Sequence, residues 1–142
     1  QYINLWSTDN NKFDGSVRDG KKTIYDPSPV GFKVPDAYAF EGFSTTGAEW
    51  NKGYTFIANN NKDIYFQAGG ARRGINGSIA GNGTNGLYWQ SVPTLKENGK
   101  PGYGLRTSLT NGTISTFFPP ANDAADDYGS YANAYGVRPV AE

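Results

Sequence analysis

The chain has 142 residues, a formal net charge of zero, 37% apolar and 15% aromatic residues, and no Cys, Met or His. This length fits one domain, with surface enough to bury a core without a metal or disulfide staple. Zero net charge argues against nucleic-acid or anionic-membrane partners, and the missing Cys and His remove Cys or His nucleophiles, Ser-His-Asp triads and His or Cys metal sites.

In chain order, Tyr2 to Trp6 reads as a short strand followed by polar loop. Ile24 and Tyr25 lead into Asp26-Pro27-Ser28-Pro29, where each proline drives the residue before it away from helix. Gly31 to Val34 reads as extended. Asp36 is an N-cap residue, and Ala37, Phe40 and Phe43 at three-residue spacing predict a short helix with one apolar stripe, limited by Gly42 and Gly47. GYTFIA and DIYFQAG on either side of NNNK predict a hairpin. A glycine-rich stretch from Gly69 to Gly86 carries little periodicity. LYWQSV, YGLRTSL and TISTFF read as strands separated by turns, and the chain closes on a further strand in YGVRPV. Short strands, one or two short helices and long loops give an α+β class with an antiparallel sheet.

Few motifs carry chemistry. Gly81, Gly83 and Gly86 spell G-x-G-x-x-G, but strand-like Leu87-Tyr88-Trp89 follows where the dinucleotide fingerprint needs a helix. No cofactor is expected. The sequons at Asn76, Asn82 and Asn111 are all Asn-Gly pairs, which are turn signals first. Asp123, Asp126 and Asp127 lack the spacing of an EF-hand loop and read as a solvated acidic loop rather than a metal site. Asp26, Glu41, Glu49 and Asp63 are the carboxylates left for hydrolysis. Each is better explained as a cap, turn or surface residue, so no enzyme is expected. No apolar run approaches the roughly 20 residues of a membrane helix, so membrane insertion is not expected either.

The blocks KTIYDPSPVGFKVP, YFQAGGAR, GLYWQS, YGLRTS and AYGVRPV, in this order, resemble a C-type lectin-like domain. The version they resemble is common at the C-terminus of surface and fimbria-associated proteins of gut Bacteroidetes. They are similar too to the variable proteins of diversity-generating retroelements. The resemblance runs from Lys21 to Glu142. It implies a single domain ending a longer protein, displayed on a cell or virion surface. Its small sheet would be built from the YWQS, YGLR and GVRPV strands, with a ligand face where loops and strands meet. Ser28 stands where such domains often carry Cys. The Glu-Pro-Asn, Gln-Pro-Asp and Trp-Asn-Asp signatures of calcium-dependent sugar binding are missing.

In the diversified relatives, substitution falls on the first two bases of AAY codons, which can never yield Lys, Glu, Gln, Met or Trp. Residues 1–100 hold 17 Lys, Glu, Gln and Trp; the same frequency puts about seven in residues 101–141, which hold none. Within that segment, ANDAADDYGSYANA has the composition of a binding surface, since tyrosine gives rigid contact area and small polar residues give adaptable hydrogen bonding. Tyr128, Tyr131 and Tyr135 are the expected anchors. Asn122, Asp123, Asp126, Asp127, Ser130 and Asn133 are the expected polar contacts, with Tyr103 and Arg106 at the rim, although their odd spacing denies them one face of a regular strand. Trp89 reads as core. The expected partner is a protein or glycan. The alternative is a structural fimbrial or virion subunit, so the chain is expected as a monomer or as part of a larger surface assembly.

Overall fold

The computed structural model describes residues 6, 21–36, 39–58, 60–94, 103–118 and 133–142; strand residues 92–94, 103–106 and 116–118 are described by their backbone alone. Ten strands form among them. β1 (Phe32–Lys33) pairs antiparallel with β10 (Val140–Ala141). β2 (Glu49–Trp50), β3 (Gly53–Ile57) and β4 (Asp63–Gln67) make an antiparallel meander. β5 (Ala71–Arg72) and β6 (Ile79–Ala80) make a small hairpin. β7 (Asn85–Thr94), β8 (Tyr103–Thr110) and β9 (Thr113–Phe118) make a second three-stranded antiparallel sheet.

The class is therefore all-β. The expected helix after Asp36 does not form among the described residues. Ala39 N–H donates to Asp36 C=O at 3.2 Å and Phe43 N–H to Phe40 C=O at 3.0 Å, which are isolated turn bonds across three residues. Propagating a helix from there would need residues that do not compete with the backbone. Instead Ser44 Oγ accepts from Thr46 N–H at 3.1 Å, the local bond that draws Ser and Thr out of helices. The apolar spacing still serves its purpose. Phe40 is buried and stacks with Phe43 at 5.3 Å, and both meet the Phe66 ring edge-on. A three-residue spacing is satisfied by two consecutive turns as well as by a helix.

The core is largely aromatic. Phe40, Tyr54, Phe56, Phe66, Tyr88 and Leu109 form one cluster that joins the two three-stranded sheets. Fully burying a side chain such as Leu109 stabilises the fold by about 1.5–3 kcal/mol. Tyr54 also accepts a 2.8 Å hydrogen bond from Gly112 N–H at its hydroxyl, which fixes the β8–β9 turn against β3. The hairpins expected around NNNK and Asn111-Gly112 are both present.

β7 is buried on both faces: Leu87, Tyr88, Trp89, Gln90 and Ser91 are buried in succession, the pattern of a strand covered on either side. One edge pairs with β8. The other is closed by three segments. Gly70 bridges Gly86, Ser91 N–H donates to Pro35 C=O at 2.8 Å, and residues 134–136 run parallel to β7 between them. Gly136 N–H donates to Leu87 C=O at 3.0 Å and Gly136 C=O accepts from Trp89 N–H at 2.9 Å. The opposite edge of residues 134–136 pairs antiparallel with β5, through Arg72 and Ala134 bonds of 3.0 and 2.9 Å. The chain end is thus threaded between β5 and β7. The strand expected over YGVRPV is two short pieces, a bridge at Gly136 and β10.

Candidate functional site

A groove of about 390 Å³ opens where the end of β4, the β5–β6 hairpin, β7 and residues 134–136 converge. Gln67, Gly69, Gly70 and Ala71 form one wall and floor, Arg72 and Ile79 come from the hairpin, and Leu87, Tyr88, Ala134, Tyr135 and Gly136 form the other wall.

Two glycines make this convergence possible. Gly70 has φ +68°, and a Cβ there would lie 2.3 Å from Ala80 C=O, so only glycine lets the β4–β5 connection pass under β6. Gly136 faces the Tyr88 ring, where a Cβ would come within 3.0 Å of Cε1. Tyr88 is held from its other end by its hydroxyl, which donates to Gln67 C=O at 2.7 Å, and by an edge-on contact with Phe66 at 5.4 Å. Burial pushes the Tyr88 hydroxyl above its ordinary pKa of 10.0, and the positive charge of Arg138 works against that rise. Arg138 itself lies over the Phe66 ring, 5.0 Å from its centroid. Arg72 is exposed, and its guanidinium makes no ion pair or side-chain hydrogen bond among the described residues.

The expected contact residues divide into three groups. Asn122, Asp123, Asp126, Asp127, Tyr128, Ser130 and Tyr131 lie outside the described residues. Tyr103 and Arg106 are placed on β8, opposite Thr94 and Trp89, with register shifts in both neighbouring ladders; their side chains lie outside the described set. Asn133 and Tyr135 are described, and of the two Tyr135 lines the groove. Asn133 is 5% exposed and works inward: its Oδ1 accepts from Gly74 N–H at 2.6 Å and its Nδ2 donates to Tyr135 Oη at 3.2 Å. Tyr135 packs on Trp89 at 4.4 Å, and Trp6 meets the same indole edge-on at 6.3 Å. Trp89 is buried, as core.

Of the carboxylates weighed for hydrolysis, Asp26 is buried and holds a loop: Oδ1 accepts from Ser28 N–H at 2.7 Å and Oδ2 from Val34 N–H at 2.9 Å. Glu41, Glu49 and Asp63 are exposed. Among the described residues no three acidic groups gather at a metal-binding distance. The G-x-G-x-x-G segment turns at Gly81, whose C=O accepts from Thr84 and Asn85 N–H at 3.0 and 2.7 Å, and feeds directly into β7.

The sequence patterns single out none of Gln67, Arg72, Ile79 or Tyr88. Their adjacency depends on the 134–136 threading, which no local pattern announces. A second concavity of about 600 Å³, lined by Phe43, Phe56, Ile57 and Ile64 with small neighbours, has no charged group among its described lining residues. It shares no residue with the C-terminal segment. Comparison of the chain with protein-family models, with curated proteins and with solved structures returned no match.

Proposed function

We propose that this domain is a ligand-recognition module displayed on a bacterial or phage surface, binding a protein or glycan where its C-terminal segment meets the β5–β6 hairpin and β7. The observation that carries the reading is the anchoring of residues 133–136 along both edges, to Arg72 on one side and to Leu87 and Trp89 on the other. The Tyr- and Asp-bearing stretch 119–132 joins in sequence the end of β9 to Asn133, and both of these neighbours belong to the described scaffold. Fixing the ends of a contact segment lowers the ordering cost that binding must overcome. The likeness of the sequence blocks to C-type lectin-like surface and retroelement-diversified proteins, and the lack of Lys, Glu, Gln and Trp in residues 101–141, support the same reading and favour diversification of that segment.

The test is deep sequencing of the gene across its source population. Substitutions concentrated at NNY codons in 101–141, sparing the codons for Leu87 to Ser91, are the expected result. A uniform segment would instead favour the second reading, a fixed structural subunit of a fimbria or virion. One observation speaks for that alternative. Ile24, Tyr25, Val30 and Phe32 are exposed at 91, 67, 98 and 46%. They sit on a loop made rigid by Asp26 and by Lys22, whose ammonium caps the Ser28, Pro29 and Phe32 carbonyls. Under that reading the domain self-associates at micromolar concentration.

A further inference from the structure

The groove has a chemical bias that narrows the ligand class, and the inference drawn from it rests on the recognition reading above. None of its described lining residues is acidic, and one of them, Arg72, is a cation that makes no ion pair among the described residues. Arg138, over Phe66 and close enough to act on the Tyr88 hydroxyl, adds positive potential near Tyr88. A groove with one cation in its lining, a second near its Tyr88 wall and no carboxylate among its described lining residues attracts an anion. A planar, fixed-charge guanidinium is matched to a carboxylate by paired hydrogen bonds.

The remaining lining specifies what the carboxylate is attached to. Ile79, Leu87 and the Tyr135 ring supply apolar contact, while the Gln67 carboxamide and the exposed peptide groups of Gly69 both donate and accept. Groups of that kind suit hydroxyls, which also do both. At about 390 Å³ the groove lies at the small-ligand end of the usual range of roughly 300–1,000 Å³. An extended acidic peptide would bind by adding to a free strand edge. Beside the groove both edges of residues 134–136 are already bonded, to Arg72 and to β7. We propose that the groove is a subsite for a carboxylated sugar, a uronic acid unit of a glycan, with Arg72 holding the carboxylate and Gln67 and Gly69 the ring hydroxyls.

The test is a titration of the isotope-labelled domain, followed at the Gly69, Gly70 and Gly136 amides. The probes are methyl glucuronide, its methyl ester, methyl glucoside and a Glu-rich tetrapeptide. The glucuronide is expected to shift all three amides and to bind about ten- to a hundredfold more tightly than its ester or the glucoside, the worth of a charge-assisted bond. Arg72→Gln is expected to reduce the glucuronide to the level of the ester and leave the ester unchanged. Among the described residues Arg72 contributes only backbone bonds to the fold, so this variant is expected to retain its structure. Equal binding of ester and acid, or an unaffected glucuronide in Arg72→Gln, overturns the proposal. Preference for the tetrapeptide overturns the sugar assignment and leaves the recognition reading standing. Shifts from none of the four also overturn the subsite, while the codon survey judges the recognition reading separately.

Discussion

A methyl group added at Gly136 would stand 3.0 Å from Cε1 and 3.1 Å from Cδ1 of Tyr88. The ring has little room to withdraw, because its hydroxyl is bonded to Gln67 C=O and it packs edge-on with Phe66. Gly136→Ala is therefore expected to destabilise the domain by about 1–3 kcal/mol through overpacking, read as a lowered midpoint in urea. Gly69→Ala is the control. A Cβ at Gly69 meets nothing within 4 Å, so it should leave the midpoint within about 0.5 kcal/mol. Equal effects from the two would mean that the contact of the 134–136 segment with Tyr88 is loose.

Tyr88 also makes stability depend on pH in a defined direction. Burial raises its pKa in the folded state above the ordinary 10.0, so the folded protein holds this proton more tightly than the unfolded chain. The resulting stabilisation is fully present below the unfolded pKa and is lost as pH rises through the folded one. Tyr88→Phe removes this dependence together with the bond to Gln67, at a cost of about 0.5–1.5 kcal/mol near neutrality. Urea unfolding at pH 7 and above pH 10 should show the wild type losing more stability than the variant. Parallel losses would mean that Tyr88 ionises as it does in the unfolded chain.

Asn133 joins two segments that are 59 residues apart in sequence, through its bond to Gly74 N–H. Asn133→Ala leaves that donor without its partner and is expected to cost about 1–3 kcal/mol. The loss should be local first: amide exchange at Arg72 and Ala134, which pair with each other, should accelerate before exchange in β8. Asn133→Asp keeps an acceptor oxygen and should recover most of the protection. Uniform acceleration across the domain would show instead that the hairpin and the chain end are not a separable unit.

The parts of this fold legible in sequence are those governed by neighbours along the chain. Asn111-Gly112 announces a tight turn, NNNK joins two alternating runs, and the run Leu87 to Ser91 announces a strand. The helix expected after Asp36 failed because apolar spacing of three does not distinguish a helix from successive turns, and Ser44 tips the choice. The groove was illegible for a different reason. Arg72 and Tyr135 are brought together by backbone pairing that inserts one segment between two others, and neither their types nor their spacing encodes it. Asn133 was read as a surface contact because Asn in a polar run is ordinarily solvated, whereas here its amide satisfies a turn in another segment.

The loop from Lys22 to Val34 contains an imbalance that mutation can resolve. Asp26 accepts two backbone hydrogen bonds, from Ser28 and Val34, while Ser28 Oγ is buried and has no hydrogen-bond partner among the described residues. Removing the first should be costly and removing the second should not. Asp26→Ala abolishes two bonds to a carboxylate, each worth about 1.5–3 kcal/mol where an ionised group is involved, and it should free the loop that displays Ile24 and Val30. Ser28→Ala deletes a buried hydroxyl that has no partner among the described residues, and such groups cost about 1–3 kcal/mol when buried unmet, so this variant should equal or exceed the wild type in urea. Ser28→Cys should behave similarly, since a free thiol packs as a small apolar group with only weak hydrogen-bonding demand. A Ser28→Ala variant less stable than wild type would show that the hydroxyl has a partner in solution, and the loop would then owe its shape to Ser28 as well as to Asp26.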